Sequence, residues 1–312
     1  VIPTDVDQIC NVMRYCETHG LPVVARGAGT SLSGGARPHK DGIVLSLARF
    51  NQILAIDPTN RTARVQPGVR NLAISEAVAH LGLYYAPDPS SQIACSIGGN
   101  VAENAGGIHC LKYGLTVHNV LKLEVVLTNG QRVTLGGDTP DSPGYDLLAL
   151  LHGSEGMLGI VTEVTVRLLP RPVTAQALLA VFDEVTQAGD AVAAVIASGI
   201  VPAGLEMMDN LAIRAAEEFA ACGYPVDAAL ILICELDGTE SEVSQQVERV
   251  TGLFLEKGAR EVRISRSEDE RLKFWSGRKN AFPAVGRISP DYYCIDGTIP
   301  RKAVAKVLAG IE

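Results

Sequence analysis

No cluster of lysine and arginine stands anywhere in these 312 residues, where 27 basic side chains are outnumbered by 35 acidic ones for a formal charge of -8. Neutralising a phosphate backbone needs such clusters, so nucleic acid is excluded as a partner. Long apolar runs are equally scarce. The longest, 191–197 and 228–234, fall far short of the ~20 residues that span a bilayer, and no transmembrane segment is expected. Seven cysteines, Cys10, Cys16, Cys95, Cys110, Cys222, Cys234 and Cys294, form no C-x-x-C pair and are odd in number. That argues against a disulfide framework or an internal iron–sulfur site, and for scattered reduced thiols in a cytoplasmic protein. No signal-peptide pattern opens the chain, and V-I-P-T-D-V runs directly into a helix start, so the natural beginning is expected to lie upstream. What is left is an ordinary globular composition, 47% hydrophobic and 20% charged, long enough for two domains.

Glycine is what the chain has in informative places. At 23–35 it reads V-V-A-R-G-A-G-T-S-L-S-G-G, a short β-branched run ending in a loop whose backbone can come close to a ligand. Successive exposed amides in such a loop form an anion-binding nest, and Arg26, Thr30 and Ser31 add charge and hydroxyl donors, so a phosphate is the expected guest. Two familiar phosphate loops do not fit. A dinucleotide fingerprint needs G-x-G-x-x-G opening a helix, but Leu32 stands where the third glycine belongs and S-G-G-A-R-P-H-K-D-G cannot be helical. A P-loop needs lysine after its last glycine, and Gly35 occupies that place. A ligand-free turn is the alternative for this stretch alone. Two further clusters weigh against it: P-D-P-S-S-Q-I-A-C-S-I-G-G-N-V-A-E-N-A-G-G at 87–107 and G-S-E-G-M-L-G-I-V at 153–161.

Periodicity supplies the scaffold. Thr4 or Asp5 caps a helix carrying Val6, Ile9, Val12, Met13 and Cys16 on one face and ending at Gly20. Strands are expected at 21–25, 43–47, 53–57 and 62–66, with D-P-T-N turning between the last two. A helix capped near Asn71 should turn Ile74, Ala77, Val78 and Leu81 inward. Segments 120–127 and 131–135 flank Asn129-Gly130, a strong hairpin signal. The stretch 160–168 alternates like a half-buried strand. Pro170 to Pro172 marks a boundary, giving domains 1–172 and 173–312. After it, strands at 178–182, 204–208, 228–236 and 260–265 alternate with helices at 185–197, 211–222, 240–257 and 267–280, the pattern of a layered α+β domain.

The ordered set R-G-A-G-T-S-L-S-G-G, S-I-G-G-N-V-A-E-N-A-G-G and G-S-E-G-M-L-G-I-V-T-E-V resembles the PCMH-type flavin domain of the vanillyl-alcohol oxidase superfamily. The likeness is to the glycolate oxidase flavin subunit and D-lactate dehydrogenase relatives, over the whole chain. It implies an α+β fold: a two-subdomain FAD-binding domain followed by a ferredoxin-like cap, truncated at the C-terminus. It assigns the FAD pyrophosphate to Arg26, Gly27, Ala28, Gly29, Thr30, Ser31 and Leu32. Pro87, Asp88, Ser96, Gly98, Gly99, Asn104 and Gly107 are implied as a second wall, with Gly98-Gly99 and Gly106-Gly107 allowing flat approach of the backbone. Glu155, Gly156, Gly159, Ile160 and Val161 are implied at the adenine side. Covalent members place histidine where this chain has Thr30, so the flavin is expected to be noncovalent. His109 is a candidate to touch flavin or substrate, the alternative being a packed or solvated histidine. Arg278, in F-W-S-G-R-K-N-A-F-P-A-V-G-R, matches the family's substrate-carboxylate cation. Lys279 and Arg287 are weaker candidates, and merely solvating a helix end is the alternative.

The expected activity is therefore oxidation of glycolate or a small D-2-hydroxy acid by hydride transfer to FAD, with D-lactate or D-2-hydroxyglutarate dehydrogenase as a second possibility. A catalytically silent flavin-binding subunit is the alternative of another class. Relatives continue into an H-x-G-D-G-N-x-H element supplying the base and, in some members, a metal ligand. That element is not in 301–312, so the chain is expected to be a fragment with no metal site of its own. Implied partners are a second flavin subunit and an iron–sulfur electron acceptor, through which a cytoplasmic protein could meet a membrane.

Overall fold

A computed structural model describes residues 1–139, 144–300, 303–308 and 310–311. The chain divides into two compact units, Val1–Arg171 and Pro172–Glu312.

In the first unit, α1 (Val6–His19) is framed by its sequence. Asp5 accepts from the Gln8 amide at 2.9 Å, and Gly20 closes the helix in a left-handed conformation at φ 63°. Ile9, Cys10, Met13 and Cys16 are its buried face. β1 (Val23–Arg26) pairs in parallel with β2 (Ile43–Ser46), and Leu45, Leu47 and Phe50 pack with Ile9 and Met13. The other strands are β3 (Ile53–Asp57), β4 (Thr62–Val65), β5 (Leu83–Tyr84), β6 (Val120–Val126), β7 (Arg132–Gly136), β8 (Ile160–Arg167) and β9 (Leu169–Pro170). Five form an antiparallel sheet in the order β3-β4-β8-β6-β7, while β5 pairs with β9. The helices are α2 (Asn71–Val78), α3 (Ile97–Glu103), α4 (Cys110–Tyr113), α5 (Thr116–Asn119) and α6 (Leu147–Leu151). Ile74, Val78, Ile97 and Val101 join Leu123, Val164 and Val166 in one core.

Two expectations are corrected here, and a third is met. α2 stops at Val78 and tightens into a 3₁₀ turn, so Leu81 is exposed rather than inward. β8 has strand neighbours on both sides and is buried on nearly every residue, so it does not alternate as a half-buried strand would. In the β6–β7 hairpin only Gly130 has positive φ, at 74°. The expected hairpin is present, with β6 pairing antiparallel to β7 and Gly130 in the left-handed position of its loop.

The second unit alternates strand and helix: β10 (Thr174–Phe182), α7 (Val185–Ala197), β11 (Gly204–Asp209), α8 (Asn210–Ala220), β12 (Leu230–Gly238), α9 (Glu240–Glu256) and β13 (Glu261–Ile264). α10 (Glu268–Lys279), α11 (Ala281–Ile288) and α12 (Val304–Leu308) follow. The antiparallel sheet order β11-β12-β10-β13 is ferredoxin-like, with α8 added between the second and third strands. One sheet face buries Leu178, Ala180, Phe182, Leu232, Cys234 and Leu236 with residues of α7 and α9. Thr239 and Glu242 form a reciprocal capping box at the start of α9, a motif whose loss costs about 1 kcal/mol.

Candidate cofactor cradle and carboxylate anchor

α3 is the hub on which the three glycine clusters of the first unit meet. Ser96 caps it, its Oγ accepting from the Gly99 amide at 3.4 Å. The loop after β1 reaches this cap through Gly27, where a β-carbon would lie 2.1 Å from the Ser96 Oγ. No side chain larger than hydrogen fits there. Farther along the loop, the Ser33 Oγ donates to Glu103 at 3.1 Å. The third cluster is tied to the other end of α3, because the Gly153 amide donates to the Val101 carbonyl at 3.0 Å and the Glu155 amide to that of Ala102 at 2.8 Å. Carboxylate oxygens of Glu103 and Glu155 both lie within 4 Å of where a Gly35 side chain would begin.

This arrangement leaves a run of donors unused. Among the described residues, none of the backbone amides from Gly27 to Leu32 donates a hydrogen bond to the chain. Gly27 and Ser31 are half-buried and the other four residues exposed, so these consecutive free donors are open to an external acceptor. Gly29 adopts φ 73°, and the Arg26 guanidinium folds over it, its Nη2 3.1 Å from where a β-carbon would stand. Arg26 forms no ion pair among the described residues. Six free amides with the Arg26 guanidinium beside Gly29 could together receive a multiply charged anion.

Asn100 and Asn71 hold the second wall from behind, a role the sequence did not indicate for either. Asn100 Nδ2 donates to Asn71 Oδ1 at 2.8 Å, and Asn71 Nδ2 donates to the Pro87 carbonyl at 2.9 Å, all in buried surroundings. Asn71 is therefore a clamp on Pro87 rather than the cap of α2. Asp88 lies against Gly107, whose β-carbon would stand 2.3 Å from the Asp88 Oδ1. Asp88 also accepts from the His109 amide at 3.3 Å and meets the ring Nδ1 through Oδ2 at 2.7 Å. His109 is thus a held imidazole, with its proton fixed on Nδ1 by the carboxylate.

At Gly98 and Gly106 the space that a side chain would need is taken by the protein itself. A β-carbon on Gly98 would strike Pro67 at 2.5 Å and one on Gly106 would strike Leu115 at 2.7 Å. Asn104 ends α3 in a left-handed conformation and its Oδ1 accepts from the Val117 amide at 3.0 Å, leaving only its amide nitrogen for a ligand. Gly159 packs on Val125 and Val126. Ile160 and Val161 are core side chains, 3% and 8% exposed, so only their main chain could serve a cofactor. Next to this cluster, His152 is buried with Nδ1 2.7 Å from the Leu148 carbonyl and Nε2 without a partner among the described residues. Burial pushes its pKa below the ordinary histidine value, against the opposing carbonyl hydrogen bond.

In the second unit, Arg271, Trp275 and Arg278 recur at i, i+4 and i+7 on one face of α10. The Trp275 indole donates to the buried Glu235 of β12, and Arg271 Nη1 joins the same carboxylate at 2.7 Å. Arg271 also binds Glu268, and this hydrogen bonding holds the Glu268 carboxyl below its usual range. Gly277 lies flush on the Tyr224 ring, 2.3 Å from a would-be β-carbon. These contacts fix the helix that carries Arg278, whose Nε donates to Glu206 of β11 at 2.8 Å. Glu206 gave no signal in the sequence, being 72 residues distant. Lys279 and Arg287 make no ion pair among the described residues.

Residues 1–136 match the model of an FAD binding domain, and residues 171–312 match that of the C-terminal domain of FAD linked oxidases. The chain is 65% identical to glycolate oxidase subunit GlcD of Escherichia coli (strain K12), with all of this chain aligned to 62% of that protein's length. It is 40% identical to the GlcD subunit of Bacillus subtilis (strain 168), covering 100% of this chain and 67% of the relative. An alkyldihydroxyacetonephosphate synthase structure superposes with TM-score 0.74 at 18% identity, over 92% of this chain and 56% of the other, a likeness of fold alone. No helix among the described residues is long and apolar enough to cross a membrane.

Proposed function

The chain belongs to the FAD-linked oxidases, and from that premise we propose that it is the flavin-bearing part of an oxidoreductase acting on glycolate or another small D-2-hydroxy acid. The observation that carries the cofactor reading is the run of six donors from Gly27 to Leu32 with Arg26 folded over it. That set fits a pyrophosphate in number, charge and steric access. Pro87, Asp88, Ser96, Gly99, Asn104 and Gly107 serve as the second wall, with Glu155 and Gly156 beyond the far end of α3. Domains 1–172 and 173–312 are the corresponding functional divisions. Thr30 carries no group that bonds covalently to an isoalloxazine, so the cofactor is held noncovalently. When bound, FAD supplies the acceptor for the hydride that leaves the substrate's α-carbon.

The protein's own work is binding and orientation. Arg278 offers a planar cation to the substrate carboxylate, which fixes the α-carbon relative to the rest of the molecule. His109, with Nδ1 tied to Asp88, is the imidazole assigned to contact flavin or substrate. The relatives' names call them subunits, which supports work within an assembly; the partners proposed for it are a second flavin subunit and an iron–sulfur electron acceptor. Electrons on the reduced flavin need an exit, and such an acceptor would supply it.

Anaerobic mixing of the complete FAD-loaded subunit with glycolate and D-lactate is the test, followed by flavin absorbance. Bleaching by a hydroxy acid is expected. A lost charge-assisted hydrogen bond costs about 1.5–3 kcal/mol, so Arg278→Ala should raise KM by roughly 10- to 150-fold. A bound flavin that no hydroxy acid reduces would point to the silent-subunit alternative and overturn the reading.

A further inference from the structure

The guanidinium groups of the second unit are not all used alike. Arg271 is committed to the protein on every side, with Nη1 on Glu235 at 2.7 Å and Nε and Nη2 on Glu268 at 2.8 and 2.6 Å. Arg260 is bracketed by Asp183 and Asp227, each at 2.8 Å. Arg278 differs. Its Nε donates to Glu206 Oε2 at 2.8 Å, and its two terminal nitrogens donate to no acceptor among the described residues. The side chain is 27% exposed, and that of Glu206 25%.

A guanidinium gripped at Nε cannot turn about its last bonds, and it then presents both terminal nitrogens in a fixed plane. That fork matches a carboxylate. Both ends of the grip are rigid. Glu206 lies on β11 with Ile233 of β12 as its partner in the antiparallel ladder, while α10 is pinned by Trp275 on Glu235 and by Gly277 on Tyr224. The pair is also formally neutral. Glu206 therefore lessens the pull of Arg278 on an anion while fixing its direction, and its contribution is orientation rather than attraction.

We propose that Glu206 is a positioning residue of the substrate site, holding Arg278 so that a bound carboxylate takes one orientation. The inference rests on Arg278 being the carboxylate anchor. Three features of Glu206 can be varied separately: reach, acceptor oxygen and charge. Glu206→Gln keeps reach and an acceptor for the Nε proton while removing charge, so kcat should stay within about threefold of wild type and KM should not rise. Glu206→Asp keeps the charge but is one methylene short, and Glu206→Ala removes the grip. Both should lower kcat by about tenfold or more with KM changed less, because misplacement of a reacting group acts on the chemical step.

The experiment is steady-state oxidation of glycolate and D-lactate by the complete FAD-loaded subunit with a dye acceptor. Rates are expressed per bound flavin, and thermal midpoints and a parallel Arg278→Ala arm are recorded. Raised KM in Arg278→Ala, with the Gln variant retaining kcat and the Asp variant losing it, supports the proposal. Wild-type kcat in Glu206→Asp, or a Gln variant as impaired as Asp, overturns it while leaving the anchor reading intact. Glu206 variants that only lower the thermal midpoint would show a purely structural ion pair and also overturn it. An unchanged KM in Arg278→Ala would remove the anchor itself and this inference with it.

Discussion

Adding one methyl group at Gly27 should separate the loop after β1 from the helix that supports it. The new β-carbon would stand 2.1 Å from the Ser96 Oγ and 3.3 Å from its Cβ. Two responses are open. The Ser96 hydroxyl can rotate away from the Gly99 amide, giving up the cap of α3 at a cost of about 0.5–2 kcal/mol. Alternatively, the two backbones can part, an overpacking cost of about 1–3 kcal/mol. A rotated hydroxyl is poorly placed in any case, since Ser96 is only 5% exposed. Gly27→Ala should therefore lose roughly 1–3 kcal/mol of stability and, if that loss falls on the cofactor-loaded state, weaken FAD binding by about 5- to 150-fold. Ser96→Gly alone should cost only a few tenths of a kcal/mol, because glycine is an acceptable cap. In the double variant the collision is gone, so Gly27→Ala/Ser96→Gly should bind FAD better than Gly27→Ala. Titration of flavin-free protein with FAD, with thermal midpoints alongside, completes the cycle. A double variant no better than Gly27→Ala would refute the collision, and wild-type affinity in the single variant would refute the whole placement.

Two other predictions follow from single residues. Acid precipitation of the loaded protein should release all flavin to the supernatant, because Thr30 provides no tether; flavin retained in the pellet would show a covalent link. His152 has its pKa lowered by burial, so the unfolded chain takes up a proton near pH ~6.5 before the folded one does. Stability should thus fall as pH drops below that value, and His152→Gln should flatten the decline; equal slopes in denaturant titrations between about pH 5 and pH 7 would disprove the assignment.

Local chemistry was legible in the sequence wherever one stretch decides its own conformation. Asp5 and Gly20 bracket α1 where a cap and a left-handed glycine should stand, and 185–197 is a helix with the bounds its periodicity gives. α3 was not legible, because Gly98 and Gly99 are poor helix formers. It exists because Ser96 caps it, Pro67 leaves no room for a side chain at Gly98, and Ile97 and Val101 are buried. The burial of β8 on both faces depends on side chains packed against it from distant parts of the chain, such as Ile97 and Val101 of α3 and Ile9 of α1. Site pairs were hidden for the same reason. Asp88 and His109 were each singled out, but their contact spans 21 residues, and Glu206 acquires meaning only beside Arg278. One sequence shows which residues carry chemistry, and only tertiary contact shows which of them act together.

Hydrogen–deuterium exchange of the protein with and without FAD, resolved on peptides covering 26–32, tests the central claim most directly. If the amides from Gly27 to Leu32 hold the pyrophosphate, their exchange should be fast in the flavin-free protein and slowed by about tenfold or more on FAD binding, with riboflavin giving little protection. Equal exchange with and without bound FAD, or equal protection by riboflavin, would contradict the account.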